Sequence, residues 1–260
     1  MSNGIVKTKR KKERNPINFI APLVVLVILV IALEIFIRVC DIPREVMPTP
    51  TNIFLMTASK IGEIIPHALF NLKVIFVGYF IGVPVAMLLA ALFSQFKIVT
   101  QAFTPVVIWL VITPMITLIP LLMLWLGTDP NIRIIVVAIQ VIPIVTLNTL
   151  NGFINVDIEK VELAKAVGAT KLQAFTKIAF MNAMPQVFTG MKLGCILASI
   201  GALSADFVAY GKGLGYLILQ YTKYVNTELS YGCIIIVALI GIALYSLVSA
   251  IERKVVLWKK

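Results

Sequence analysis

Six stretches of this 260-residue chain are long and apolar enough to ask for a bilayer around them: Phe19 to Val39, Asn71 to Phe93, Phe103 to Leu126, Ile132 to Leu150, Gln186 to Ala205 and Tyr231 to Ile251. A run of about 18 or more apolar residues reads as a membrane helix, because about 20 residues are needed to cross the hydrocarbon core. With 60% hydrophobic and only 13% charged residues, the chain is far too apolar for a soluble domain of its size. The expected fold class is all-α, a polytopic membrane protein with six transmembrane helices. The first run follows a basic segment, as in a secretory signal, but it is of full spanning length and no small-residue cleavage site closes it, so it reads as a retained helix.

The formal net charge of +11 would suggest nucleic acid in a soluble protein. Here the basic residues sit in tails and connections, which is the pattern of membrane orientation, and no nucleic-acid partner is expected. Placing the N-terminus inside puts the basic tail, Lys97, the lysines at 160, 165, 171 and 177 and the basic residues after Ile251 on one side. Only Arg38, Arg44, Lys60, Arg133, Lys212 and Lys223 fall outside, so both termini are expected to be cytoplasmic. Lys73 and Lys192 lie at helix ends; Lys73 can snorkel or face a transport path. Glu34 and Arg38 are spaced for an i,i+4 pair near the outer interface. Cys40, Cys195 and Cys233 lie in or beside apolar runs with no metal or disulfide spacing. One histidine, His67, and the absence of HExxH, GxSxG and GxxxxGK[ST] leave no enzyme motif, no bound cofactor and no ATP hydrolysis by this chain itself.

Between the fourth and fifth runs the segment Asp157 to Pro185 has its own local logic. Asp157 and Glu159 suit the start of a helix that runs to about Val167. Gly168 fits a left-handed helix stop. Thr170 and Gln173 form a capping box for a second helix, and Pro185 suits the first turn of the next span. Upstream, Asn52 to Ile65 reads as a short interfacial helix capped by Thr51 or Asn52. Gly78 and Gly82 form a close-approach pair, expected to pack within the subunit. The third run carries Pro105, Pro114 and Pro120, which kink a helix and free carbonyls. Such backbone persists at membrane depth only where protein or a water-filled cavity covers it. That run, with Pro114, Thr117 and Pro120, and Asn148 near the end of the Pro143-broken fourth run, is the candidate translocation path.

Several of these segments resemble one family. Glu162, Ala164, Gly168 and Ile178, followed by Phe180 and Met181, resemble the EAA loop of binding-protein-dependent ABC importer permeases, Glu-x-Ala-x-x-x-Gly, nine residues, Ile-x-Leu-Pro. Leu163 is a common variant there, and Met181 replaces the proline. Pro114, Pro120, Leu121, Leu124, Trp125 and Gly127 match the family segment Ile-Pro-x-x-Ala-x-x-Pro-Leu-x-x-Leu-Trp-Phe-Gly, with Leu126 for Phe and no alanine before the second proline. Pro48-Thr49-Pro50 resembles the Pro-Ser-Pro segment of the sulfonate, nitrate and taurine branch. Asp206 to Gly215 is similar to a late Glu-x-x-x-x-x-x-Gly-Leu-Gly segment, with Asp206 for glutamate; its glycines are expected to shape a re-entrant or outer loop.

The resemblance implies a type I ABC importer permease-like fold in a bacterial plasma (inner) membrane. It implies a basic tail over residues 1–17, a permease domain over 18–251 that contains a cytoplasmic coupling loop at 155–184, and a tail at 252–260 in which Trp258 anchors at the interface. It also implies that Glu162, Leu163, Ala164, Lys165, Val167, Gly168 and Ala169 dock a separate ATPase, present in two copies, which hydrolyses the ATP. Ala164 and Gly168 would offer the partner a face without bulk. A second copy of the chain, an external substrate-binding protein and membrane lipid complete the expected partners. The substrate class is a small anion of the sulfonate, nitrate or taurine type, or a vitamin precursor. Arg38, Lys73 and Arg133 suit an anion, and equally lipid headgroups or helix-end anchoring. The rival readings are an autonomous secondary transporter or channel, a membrane enzyme, and a non-catalytic scaffold. The first of these would carry inverted repeats and mid-membrane charge pairs, which this chain lacks in any clear form.

Overall fold

The computed structural model describes residues 17–127, 129, 131–156 and 158–259, apart from the side chains of residues 17–20, 22, 158, 165 and 259. The expected basic tail, except its last residue, lies outside this set, as do Asp157, the expected helix cap, Thr128 and Pro130 of the outer turn, and Lys260.

The helices are α1 (Ile17–Val39), α2 (Pro50–Ser59), α3 (Ile61–Ser94), α4 (Lys97–Ile112), α5 (Met115–Leu126), α6 (Ile132–Ile154), α7 (Ile158–Ala166), α8 (Lys171–Ala174), α9 (Phe180–Val208), α10 (Leu214–Lys223) and α11 (Thr227–Val255). A π turn, Phe175–Ala179, joins α8 to α9 without a gap, and a 3-10 turn, Leu257–Lys259, follows α11. Among the described residues there is no strand. Four helical runs are long and apolar enough to cross a membrane (α3, α6, α8 through α9, and α11), and the bent pair α4–α5 makes five if it counts as one span. The 23-residue α1 carries the remaining apolar run, and six spans stay an expectation.

The core is built around α6, which packs along α3 on one side and α9 on the other. Val137, Val141 and Val145 of α6 are fully buried against Val74, Ile75 and Tyr79 of α3 and Cys195, Ala198 and Ala202 of α9. The close approach depends on missing side chains. A Cβ on Gly78 would sit 2.6 Å from the Cβ of Val137, and one on Gly82 would sit 3.1 Å from the carbonyl oxygen of Ala138. The Gly78–Gly82 pair therefore serves packing within the subunit, as its spacing suggests. Lys192 of α9 and Glu252 of α11 form a half-buried ion pair at 2.7 Å. α1 touches the rest chiefly at α2: Glu34 accepts from Arg38 at 2.8 Å and from the Thr51 N–H at 3.0 Å, so the predicted i,i+4 pair also ties two helices together.

Several local expectations are corrected. The cap of α2 is Thr49, whose hydroxyl accepts from the Asn52 N–H at 3.4 Å, and α2 stops at Ser59 because α3 begins at Ile61. The expected second span thus starts ten residues early, in a helix of 34 residues and about 51 Å. Pro143 does not break α6. Pro185 lies inside α9, whose helix already starts upstream through α8 and the π turn, and not in a first turn. The third run is not one kinked helix. α4 and α5 meet at 98° across Thr113 and Pro114. A proline pushes its predecessor out of the helical region, and Thr113 is extended (φ −64°, ψ 123°). Threonine hydroxyls take up carbonyls at the break, Thr113 to Trp109 O at 2.9 Å and Thr117 to Pro114 O at 2.7 Å. Pro105 and Pro120 stay within α4 and α5.

Candidate functional site

Two regions combine unusual local geometry with chemistry. The first is the turn from α7 into α8. Gly168 has φ +81°, the left-handed stop expected from the sequence. The Ala169 N–H reaches back to Ala164 O at 3.0 Å, the six-residue closure of a helix end that a left-handed residue permits. The capping box forms in both directions: the Thr170 hydroxyl accepts from the Gln173 N–H at 3.2 Å, and the Gln173 side chain accepts from the Thr170 N–H at 2.9 Å. Two adjacent signals thus fix a sharp corner.

The corner decides which residues face outward. Ala164 is 6% exposed and turned toward its own chain, on the side of α8 and the π turn. Gly168 is open, with nothing within 4 Å of a Cβ placed on it. Ala164 and Gly168 border one hollow together, Ala164 as a largely covered side chain and Gly168 as open backbone. The outward apolar side chains are Leu163 and Val167, 67% and 77% exposed, with Leu172 beside them at 71%. Glu162 is exposed, Ala169 is half-buried, and the side chain of Lys165 lies outside the described residues. That hollow, of about 500 Å³, lies between α7 and the segment formed by α8 and the π turn, and is also bordered by Leu163, Val167, Gln173 and Lys177. A neighbouring hollow of about 400 Å³ is bordered by Lys177, Met181 and Trp258, so the C-terminal turn lies beside this loop.

The second region lies at the other end of α9 and was largely missed. Asp206, 2% exposed, meets Arg133, 3% exposed, with Arg133 Nε donating to Asp206 Oδ1 at 2.9 Å. Asn71, fully buried on α3, donates to Asp206 Oδ2 at 2.8 Å, and the Gly215 N–H donates to the same oxygen at 3.2 Å. The Leu214 N–H donates to Asn71 Oδ1 at 2.6 Å. Arg133 Nη2 donates to the carbonyls of Ala209 at 2.6 Å and Lys212 at 3.2 Å, and the guanidinium carbon sits 5.2 Å from the centre of the Phe70 ring. The His67 ring nitrogen Nδ1 accepts from the Gly213 N–H at 3.1 Å. Arg133 is accordingly no headgroup ligand or exposed anchor; its charge is consumed internally. The signal was present, since an aspartate at the end of an apolar span needs a partner, but a separation of 73 residues hid which one.

The proposed path residues divide. Pro114, Thr117 and Pro120 are all exposed on the break and on α5. Asn148 does not join them directly: it is half-buried on α6, its amide donates to Ile144 O at 2.8 Å, and its Cβ lies against Gly190 of α9. Lys73 is exposed. Among the described residues no three His, Cys, Asp or Glu side chains converge as metal ligands would.

Long apolar helices around a small-residue core, a broken helix pair and a rigid polar corner between two spans define a multi-pass α-helical membrane protein of the transport type. Residues 82–257 match the family of binding-protein-dependent transport system inner membrane components, and the chain belongs to that family. It is a permease subunit of an ABC importer, a non-catalytic component, and the family implies an ATPase and a substrate-binding protein as partners. The chain is 27% identical over 220 residues to a protein of Bacillus subtilis (strain 168) named as an aliphatic sulfonates transport permease, covering 84% of this chain and 80% of that one. It is 25% identical over 240 residues to a formylaminopyrimidine transport permease protein of Halalkalibacterium halodurans, covering 92% and 96%. It is 26% identical over 238 residues to a riboflavin transport system permease protein of Chloroflexus aurantiacus, covering 91% and 89%. In fold it is similar to a chain of an amino acid ABC transporter crystallised with histidines, with a TM-score of 0.60 and 18% identity over 77% of this chain and 98% of that one.

Proposed function

We propose that the α7–α8 corner is the coupling element of this permease, docking a separate ATPase that binds and hydrolyses the ATP. The observation that carries this reading is the exposure of Leu163 and Val167 on a short helix whose end is fixed by Gly168 and the capping box. Two apolar side chains held outward by the corner form the anchor of an interface, with Glu162 at its rim and Ala164, Gly168 and Ala169 setting the backbone; Lys165, in the same helix, is assigned to the docking element by its place in the sequence. Two copies of the chain would pair with two ATPase subunits, both termini would be cytoplasmic, and lipid would cover the apolar exterior. The chain itself would hold no cofactor. The path would follow the exposed side of α5 at Pro114, Thr117 and Pro120, with Asn148 the polar group on the neighbouring α6. The substrate class is a small organic or inorganic anion or a vitamin precursor; the relatives named for sulfonates, formylaminopyrimidine and riboflavin support that range and no single member of it.

The test is affinity purification of the tagged chain from its native host in mild detergent, with mass spectrometry of what accompanies it. An ATPase should co-purify, and Leu163→Asp with Val167→Asp should remove it while the permease still inserts. A chain that comes down alone, or an ATPase indifferent to both changes, would favour an autonomous transporter.

A further inference from the structure

The two regions are the two ends of one rod. From Lys171 to Val208 the chain is helical for 38 residues, a contour of about 57 Å. It begins at the capping box and ends two residues past Asp206. A carboxylate in the last turn of a helix is unfavourable against that helix's own dipole. Asp206 is instead turned onto the start of α10, where it caps the Gly215 N–H while Asn71 caps the Leu214 N–H. The first N–H groups of α10 are thus satisfied from α9 and α3 and not from α10 itself. Arg133, from α6, closes the carboxylate on its other side and holds the carbonyls of the connecting turn. Only glycine fits here. Gly213 has φ +107° and a Cβ there would overlap the Asp206 carboxylate, and a Cβ on Gly215 would lie 2.6 Å from that of Asp206.

The apolar side of α10 is shared among three helices. Leu214, Leu217 and Ile218 are buried with Ile64 of α3 and with Cys233 and Val237 of α11, and Leu203 and Phe207 of α9 pack beside them. Packing alone divides α10 among α3, α9 and α11 and does not choose which of them it follows. Ion pairs are poor choices for stability in such a place, since two apolar residues of similar volume usually serve as well or better. What the pair supplies is a fixed orientation.

We propose that Asp206, Arg133 and Asn71 are positioning residues that make α10 and the turn at 209–213 move as one body with the α9 rod, so that displacement of the α7–α8 corner arrives at the far end as displacement of α10. The proposal rests on the coupling reading above. It assigns to α10 the part of a moving element at the end of the molecule remote from the ATPase.

The experiment uses the permease–ATPase complex in nanodiscs, with Cys40→Ser removing the exposed native thiol. Tyr210→Cys, at a position 88% exposed, reports on the far turn, and Leu172→Cys, exposed beside the docking anchor but not part of it, reports on the corner. Maleimide labelling rates are compared with and without ATP plus vanadate. The Cys at 210 should change its rate by about threefold or more between the two states. In Arg133→Met with Asp206→Leu, which leaves no orphan charge, that response should vanish while the Cys at 172 stays protected by the ATPase. Asn71→Leu, which keeps the ion pair, should reduce the response in part and covers the case in which the double variant fails to fold. A full response at 210 in the folded double variant, or in Asn71→Leu should the double variant not fold, would reduce the cluster to a structural role and overturn the proposal. No response at 210 in the parent, with 172 protected, would also overturn it and leave coupling intact. No protection at 172 in the parent would instead defeat the coupling reading.

Discussion

Gly168 allows backbone and side-chain effects to be separated in the coupling corner. Nothing lies within 4 Å of a Cβ at this position, so a substitution meets no clash inside the chain. The whole internal cost comes from φ +81°. An L-residue in the left-handed region pays about 1–2 kcal/mol, and Asn, which hydrogen-bonds locally, pays less than Ala. That cost acts on the corner conformation that the Ala169-to-Ala164 closure holds. A loss of about 1–2 kcal/mol lowers the ratio of closed to open corner by a factor of about 5–30. Gly168→Ala should therefore weaken binding of the purified ATPase to the detergent-solubilised permease by up to about that factor, the full factor being reached where only the closed corner binds and the open one predominates. Gly168→Asn should bind better than Gly168→Ala despite its larger side chain, and Gly168→Leu should insert normally yet fail to support coupled transport. Titration by biolayer interferometry gives the order directly. If Ala binds better than Asn, side-chain bulk against the partner governs the site and the backbone argument is wrong.

Thr170→Ala removes one half of the capping box and should cost about 0.5–2 kcal/mol locally, read as faster hydrogen exchange of the Gln173 amide with unchanged exchange in α6. Gly78→Leu forces atoms into the space of Val137 and should destabilise the α3–α6 contact by about 1–3 kcal/mol or more, seen as a lower Tm in detergent; an unchanged Tm would mean that the two helices can separate freely. Of the three cysteines, Cys40 should react with maleimide in the folded protein while Cys195 and Cys233 react only after denaturation; rapid modification of three thiols would contradict the α9 and α11 packing.

The apolar runs, the left-handed Gly168 and the Thr170 capping box were readable from the sequence because each is a local property: run length against bilayer thickness, or a few residues that satisfy one another's backbone groups. The orientation of Ala164 was not, because a nine-residue helix with alanines on several sides does not say which side its own chain will cover. Nor was the 98° turn at Thr113. Five prolines stand in the apolar helices α4, α5, α6 and α9 or their joints, at 105, 114, 120, 143 and 185, and only Pro114 ends one. What singles it out is tertiary: Met115 and Ile119 of α5 bury against Val136 of α6 and Ala205 of α9, which the bend makes possible. The Arg133–Asp206 pair was half visible, since each charge invited explanation alone, while their meeting depends on α6 and α9 running side by side.

The bend between α4 and α5 also constrains how the protein is made. α5 has 12 residues, about 18 Å, less than the hydrocarbon thickness of about 30 Å, so it cannot cross a bilayer alone. Its buried partner Ala205 emerges from the ribosome some 80 residues later. The break at Thr113–Pro114 is local and can form as soon as that step is made, but the burial of Met115 and Ile119 is complete only once α6 and α9 have been made. Seating α5 is therefore a late event of assembly, and a chain truncated before Ala205 would leave this half-length helix without its full cover.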